Sequence, residues 1–127
     1  MICFENVTYT YPFAGSPAVR DINFRVRPGE LVLVTGQSGC GKTTLMRLAN
    51  GLCPGYFRGS LQGRVLVGGK DTKTMSPGAI SRMAGTLFQD PEQQFFALGV
   101  EDELAFVHEW QGLPAAVTRQ KVRQAAV

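Results

Sequence analysis

Lys42, Thr43 and Thr44, preceded by glycines at 36, 39 and 41, are the residues of this chain whose types and spacing can do chemistry. The run Gly36-Gln37-Ser38-Gly39-Cys40-Gly41-Lys42-Thr43-Thr44 has the spacing of a phosphate-binding P-loop. Glycines let the backbone curl until consecutive N–H groups converge on phosphate oxygens. Lys42 brings a positive charge to the β- and γ-phosphates, and the Thr43 hydroxyl can ligate Mg²⁺. Thr44 can bond another phosphate through its hydroxyl or its backbone N–H. A flexible glycine loop beside an unrelated lysine is the plainer alternative.

The flanking elements decide between these readings. Leu31-Val32-Leu33-Val34 is an apolar run that predicts a buried strand over 31–35, and Leu45 to Asn50 predicts a helix. Strand, glycine turn and helix in that order aim the helix N-terminus, with its dipole and unpaired donors, at the anion. The chain is therefore expected to bind a nucleoside triphosphate. Cys40 lies inside the phosphate loop, whereas Cys3 and Cys53 read as structural.

Further strands are expected over 1–11 (Ile2, Phe4, Val7, Tyr9), 18–26 (Ile22, Phe24 and Val26 alternating), 63–69 around Val65-Leu66-Val67, and 85–88. Gly51 closes the helix after the P-loop. Lys70 to Met75 reads as loop. Ser76 as N-cap with Pro77 at the first helical position predicts a short helix to about Met83. Another helix starts at Gly99 or Val100, with Glu101, Asp102 and Glu103 in its first turn, and stops at Gly112-Leu113-Pro114. A last helix starts at Ala115 and reaches the final residue. Two buried core strands and that closing helix predict a partial domain.

Composition excludes other classes. The 127 residues suffice for one domain, and 44% apolar with 18% charged residues is globular. A net charge of +3, with scattered basic residues, gives no argument for nucleic acid. No apolar run approaches the ~20 residues of a membrane span, and Met1-Ile2-Cys3-Phe4-Glu5 does not read as a signal peptide. Three cysteines without metal-ligand spacing suit reduced thiols.

Several segments in sequence order resemble the ATP-binding cassette ATPases. AVRDINFRVRPGELVLVTGQSGCGKTTLMRLANGL is similar to the cassette's second and third strands, P-loop and first helix; GRVLVGGKD resembles the following strand and turn; GTLFQDPEQQFF resembles the glutamine loop. The resemblance covers essentially the whole chain. It implies an α/β fold, a P-loop NTPase core with an N-terminal antiparallel β subdomain. It implies ATP and Mg²⁺ as ligands, with Tyr11 stacking on adenine and Gln89 sensing the metal and γ-phosphate. It also implies a second cassette subunit and a transmembrane subunit as partners, at the cytoplasmic face of the membrane. FQDPEQQFFALGVEDELAF is similar to energy-coupling-factor importers of vitamins and transition-metal ions. The family's signature, its second apolar strand ending in Asp-Glu and its switch histidine have no counterpart in residues 1–127; His108 does not match the switch. The chain thus resembles the N-terminal half of a cassette, expected to bind ATP without hydrolysing it.

Other readings stand beside this one. Tyr11 is a base platform or an ordinary strand aromatic; Gln89 is a metal sensor or a polar residue at a strand end. Phe95 and Phe96 belong to a core or to a partner-docking surface. The chain as a whole is alternatively a soluble P-loop NTPase outside transport, or a truncated product without independent function.

Overall fold

The computed structural model describes residues 1–126. It divides into two compact units, one from Met1 to Thr86 and a second beginning at Leu87.

In the first unit, β1 (Ile2–Thr10) is the inner strand of an antiparallel sheet. It pairs with β2 (Val19–Val26) on one side and β3 (Ser60–Val67) on the other, and β4 (Lys70–Asp71) extends β3, giving the order β2-β1-β3-β4. Phe4 faces Phe24 on β2 and Val65 on β3, and the two phenylalanine rings stack with centroids 4.5 Å apart. Such cross-strand aromatic pairs help set strand register. Three helices accompany the sheet: α1 (Lys42–Ala49), α2 (Leu52–Gly55) and α3 (Pro77–Ser81). α1 contributes the fully buried Leu48 to a core of Phe4, Val7, Tyr9, Val19, Cys53 and Val65. Gly51 follows α1 in the left-handed conformation, as its position in the sequence predicts. The Ser76 side chain accepts a bond from the Ala79 N–H, with Pro77 opening α3.

Two expected strands are absent from the sheet. Residues 31–35 and 85–88 form no strand in the structure. Leu31 and Leu33 are 97% and 85% exposed. An apolar run becomes a strand only when a neighbouring strand accepts and donates its backbone hydrogen bonds. Among the described residues no strand lies alongside either segment. The sheet that does form is antiparallel throughout. β3 starts three residues earlier than expected, and Lys70 to Thr74 forms β4 and a 3₁₀ turn where loop was expected.

The second unit holds a 3₁₀ turn at Pro91–Gln94, α4 (Val100–Trp110) and α5 (Ala115–Ala125). The two helices pack together as a hairpin. α4 begins with Glu101, Asp102 and Glu103, which match the sign of its dipole. The Glu103 carboxylate also accepts bonds from the Phe96 and Ala97 N–H groups, at 2.9 and 2.8 Å. Phe96 then stacks on Phe106 with centroids 5.1 Å apart. No described helix is long and apolar enough to cross a membrane.

Candidate nucleotide-binding loop

Backbone conformation makes the loop. Gly41 has φ +101° and is the N-cap of α1. A Cβ there would lie 2.5 Å from the Ala18 carbonyl oxygen and 2.8 Å from Val19 Cγ1, so the loop can lie this close to β2 only with glycine. A Cβ on Gly36 would lie 2.7 Å from Cys40 Sγ. Between these glycines, the Cys40 N–H donates to the Gln37 carbonyl at 3.3 Å and closes a turn. Gln37, Ser38, Gly39 and Cys40 are all exposed.

The cation sits over this turn. Lys42 Nζ donates to the carbonyls of Gly36 and Gln37, both at 2.7 Å, and to Cys40 Sγ at 3.7 Å. The ammonium is thereby held at the mouth of the loop. No side chain caps α1. Its first backbone bond of this kind runs from the Leu45 N–H to the Gly41 carbonyl, at 3.0 Å. The N–H groups of Lys42, Thr43 and Thr44 therefore lie at the free, electropositive end of the helix. A held ammonium, an uncapped helix end and a loop that only glycine can form fit a phosphate anion. The exposed Thr43 hydroxyl is an oxygen donor of the kind Mg²⁺ takes beside a phosphate. Among the described residues no group of three or more His, Cys, Asp or Glu side chains could hold a metal by itself.

Thr44 faces the other way. Its side chain is buried, and its hydroxyl lies 3.2 Å from the Tyr11 hydroxyl. Tyr11 stands one residue beyond β1 and so is not itself a strand residue. Its ring meets the Tyr9 ring edge-on, with centroids 4.9 Å apart. Arg47 Nη1 also donates to the Tyr11 hydroxyl, at 3.2 Å. The structure thus brings Tyr11 to the first turns of α1. Sequence reading missed Arg47; its place three residues after Thr44, on the same helix face, is the signal that could have found it. Burial, with the Cys53 thiol beside it, pushes the Tyr9 phenol upward, so Tyr9 stays a neutral donor to the Phe57 carbonyl at 2.7 Å.

Gln89 belongs to the second unit and is exposed there, outside any strand. Just before it, the Phe88 N–H donates to Gln94 Oε1 at 2.8 Å. Phe95 and Phe96 are 65% and 74% exposed, so neither is a core residue of that unit.

The sequence profile of the ABC transporter family matches residues 19–126. This chain belongs to the ABC transporter family. The match includes residues 36–44 and α1, and the family is one of ATP-binding proteins, generally ATPases. A protein of Methanosarcina mazei, provisionally named as an ABC transporter ATP-binding protein, is 43% identical over 98% of this chain and 21% of its own length. A similarly named protein of Streptomyces coelicolor is 46% identical over 98% of this chain and 22% of its own length. The ABC transporter chain described here spans about a fifth of the length of these relatives.

Proposed function

We propose that the chain is the nucleotide-gripping, N-terminal part of an ATP-binding cassette, with residues 1–127 forming a partial domain around a P-loop NTPase core. Lys42 and the N–H groups at the start of α1 hold the β- and γ-phosphates of ATP. The Thr43 hydroxyl would hold Mg²⁺ and Tyr11 stacks on the adenine, while the resemblance gives Gln89 a role in sensing the metal and γ-phosphate. Bound Mg²⁺ supplies charge neutralisation between the phosphates. The chain's own residues bind and orient: the Lys42 ammonium, bonded to the Gly36 and Gln37 carbonyls, exchanges those neutral acceptors for phosphate oxygens.

In the assembled transporter, ATP binding and hydrolysis drive transport through a second cassette and a transmembrane subunit, with the cassettes at the cytoplasmic face. The exposed Phe95 and Phe96 suit docking on that membrane subunit. Import of a vitamin or transition-metal ion is the reading that the resemblance of residues 88–106 supports.

The observation that carries the proposal is Lys42 folded over the loop carbonyls beside an uncapped α1. Calorimetric titration with MgATP tests it. The chain should bind, and Lys42→Ala should bind at least tenfold more weakly with unchanged circular dichroism. Equal affinities overturn the assignment.

A further inference from the structure

The Tyr11 ring is held at both ends. Tyr9 meets its face-to-edge side at 4.9 Å, and α1 holds its hydroxyl through Thr44 and Arg47, each at 3.2 Å. Arg47 is itself fixed, with its guanidinium carbon 3.9 Å from the centroid of the Phe57 ring. Such a cation–π contact restrains a side chain that otherwise samples many rotamers. Phe57 in turn is tied down by the bond from the Tyr9 hydroxyl to its carbonyl and by its own N–H on the Leu52 carbonyl, at 2.8 Å. The Thr44 hydroxyl is buried, so the Tyr11 hydroxyl is its partner away from solvent.

We propose that Arg47 is a positioning residue: through the Tyr11 hydroxyl it fixes the ring that receives the nucleotide base relative to the phosphate-binding turn of α1. This rests on the nucleotide-binding reading above. A stacking platform alone needs only an aromatic ring, and phenylalanine would serve as well as tyrosine. Here the hydroxyl joins the platform to the same helix whose N-terminus meets the phosphates. The distance between base and triphosphate is then set by protein bonds rather than by the ligand. Arg47 touches neither part of the nucleotide; it acts through Tyr11.

The test compares MgATP with magnesium tripolyphosphate, which shares the phosphates and lacks the base. Calorimetry is run on the unaltered chain, Arg47→Met, Arg47→Lys, Tyr11→Phe, and the Tyr11→Phe/Arg47→Met double variant. Arg47→Met should weaken MgATP binding by roughly three- to tenfold, the scale of one lost hydrogen bond, and Tyr11→Phe, which also removes the contact to Thr44, by at least as much. Tripolyphosphate affinity should stay unchanged. The double variant should lose no more than Tyr11→Phe alone, because removing the hydroxyl already removes the bond that Arg47→Met removes. Arg47→Lys should restore part of the loss. An unchanged ratio of the two affinities in Tyr11→Phe and Arg47→Met overturns the positioning role, as do additive losses. If Arg47→Met fails to fold, Tyr11→Phe and Arg47→Lys decide by the same ratio. An unaltered chain that binds neither ligand overturns the nucleotide reading instead, so the two failures are distinct.

Discussion

Lys42 and Cys40 share the mouth of the loop, and each can be probed alone. Lys42 bonds two carbonyls at 2.7 Å, yet both acceptors are neutral and exposed. A phosphate replaces them with a charged acceptor, and hydrogen bonds to charged groups contribute ~1.5–3 kcal/mol. That is the origin of the tenfold or greater loss expected for Lys42→Ala. Cys40 is exposed, whereas Cys3 and Cys53 are buried. Its sulfur lies 3.7 Å from the Lys42 ammonium, inside the loop that a phosphate would fill. Alkylation should therefore be faster at Cys40 than at the other two thiols, and MgATP should slow it. Peptide mass mapping with and without nucleotide checks this; equal labelling in both conditions would place Cys40 outside the site.

At the level of elements, α1 is held to the sheet by one side chain above all. Leu48 is fully buried among Phe4, Val7, Tyr9 and Val65. Leu48→Ala leaves a cavity and should cost about 2–5 kcal/mol in urea unfolding of the first unit. The same change should weaken MgATP binding indirectly, because α1 carries the proposed phosphate donors. α4 depends on a polar contact instead. Glu103 accepts the Phe96 and Ala97 N–H groups and holds Phe96 against Phe106. In Glu103→Ala those two amides should exchange hydrogen faster, while amides of β1 and β3 keep their rates. Unchanged exchange at Phe96 and Ala97 would show that ring stacking alone orders the segment.

Across the whole molecule, apolar surface is left in contact with water. Leu31, Leu33, Leu87 and Leu98 are each more than three-quarters exposed, at 97%, 85%, 78% and 109%. Residues 31–35 also carry backbone groups with no strand beside them among the described residues. Unpaired backbone and exposed apolar side chains both favour association. The purified 127-residue chain should sediment as larger species as its concentration rises, and Leu31→Lys/Leu33→Lys should reduce this. A concentration-independent monomer would contradict it. Hydrolysis belongs to this scale too. It needs a positioned water and an opposing clamp on the γ-phosphate as charge develops there. Residues 1–127 contain no segment that resembles the family's signature or its Asp-Glu strand. The chain by itself should hold MgATP and release phosphate no faster than Lys42→Ala. Robust turnover in a phosphate-release assay would overturn the partial-domain reading.

What was legible in the sequence was local. Glycine spacing, the lysine and the following helical run marked out the candidate phosphate loop, because each depends on backbone freedom and charge within a few residues. Ser76-Pro77, Gly51 and the acidic start of α4 marked helix ends for the same reason. β1 and β2 were readable from their alternation, since half-buried strands carry their pattern with them. Residues 31–35 and 85–88 were not, because an apolar run states only that it would pair if a neighbour were present. Pairing is a contact between distant segments, and only the tertiary structure decided which segments met. It also decided the bonds from Tyr11 to Thr44 and Arg47. These join residues 33 and 36 positions apart, a separation at which spacing carries no information and only the packing of α1 on the sheet does.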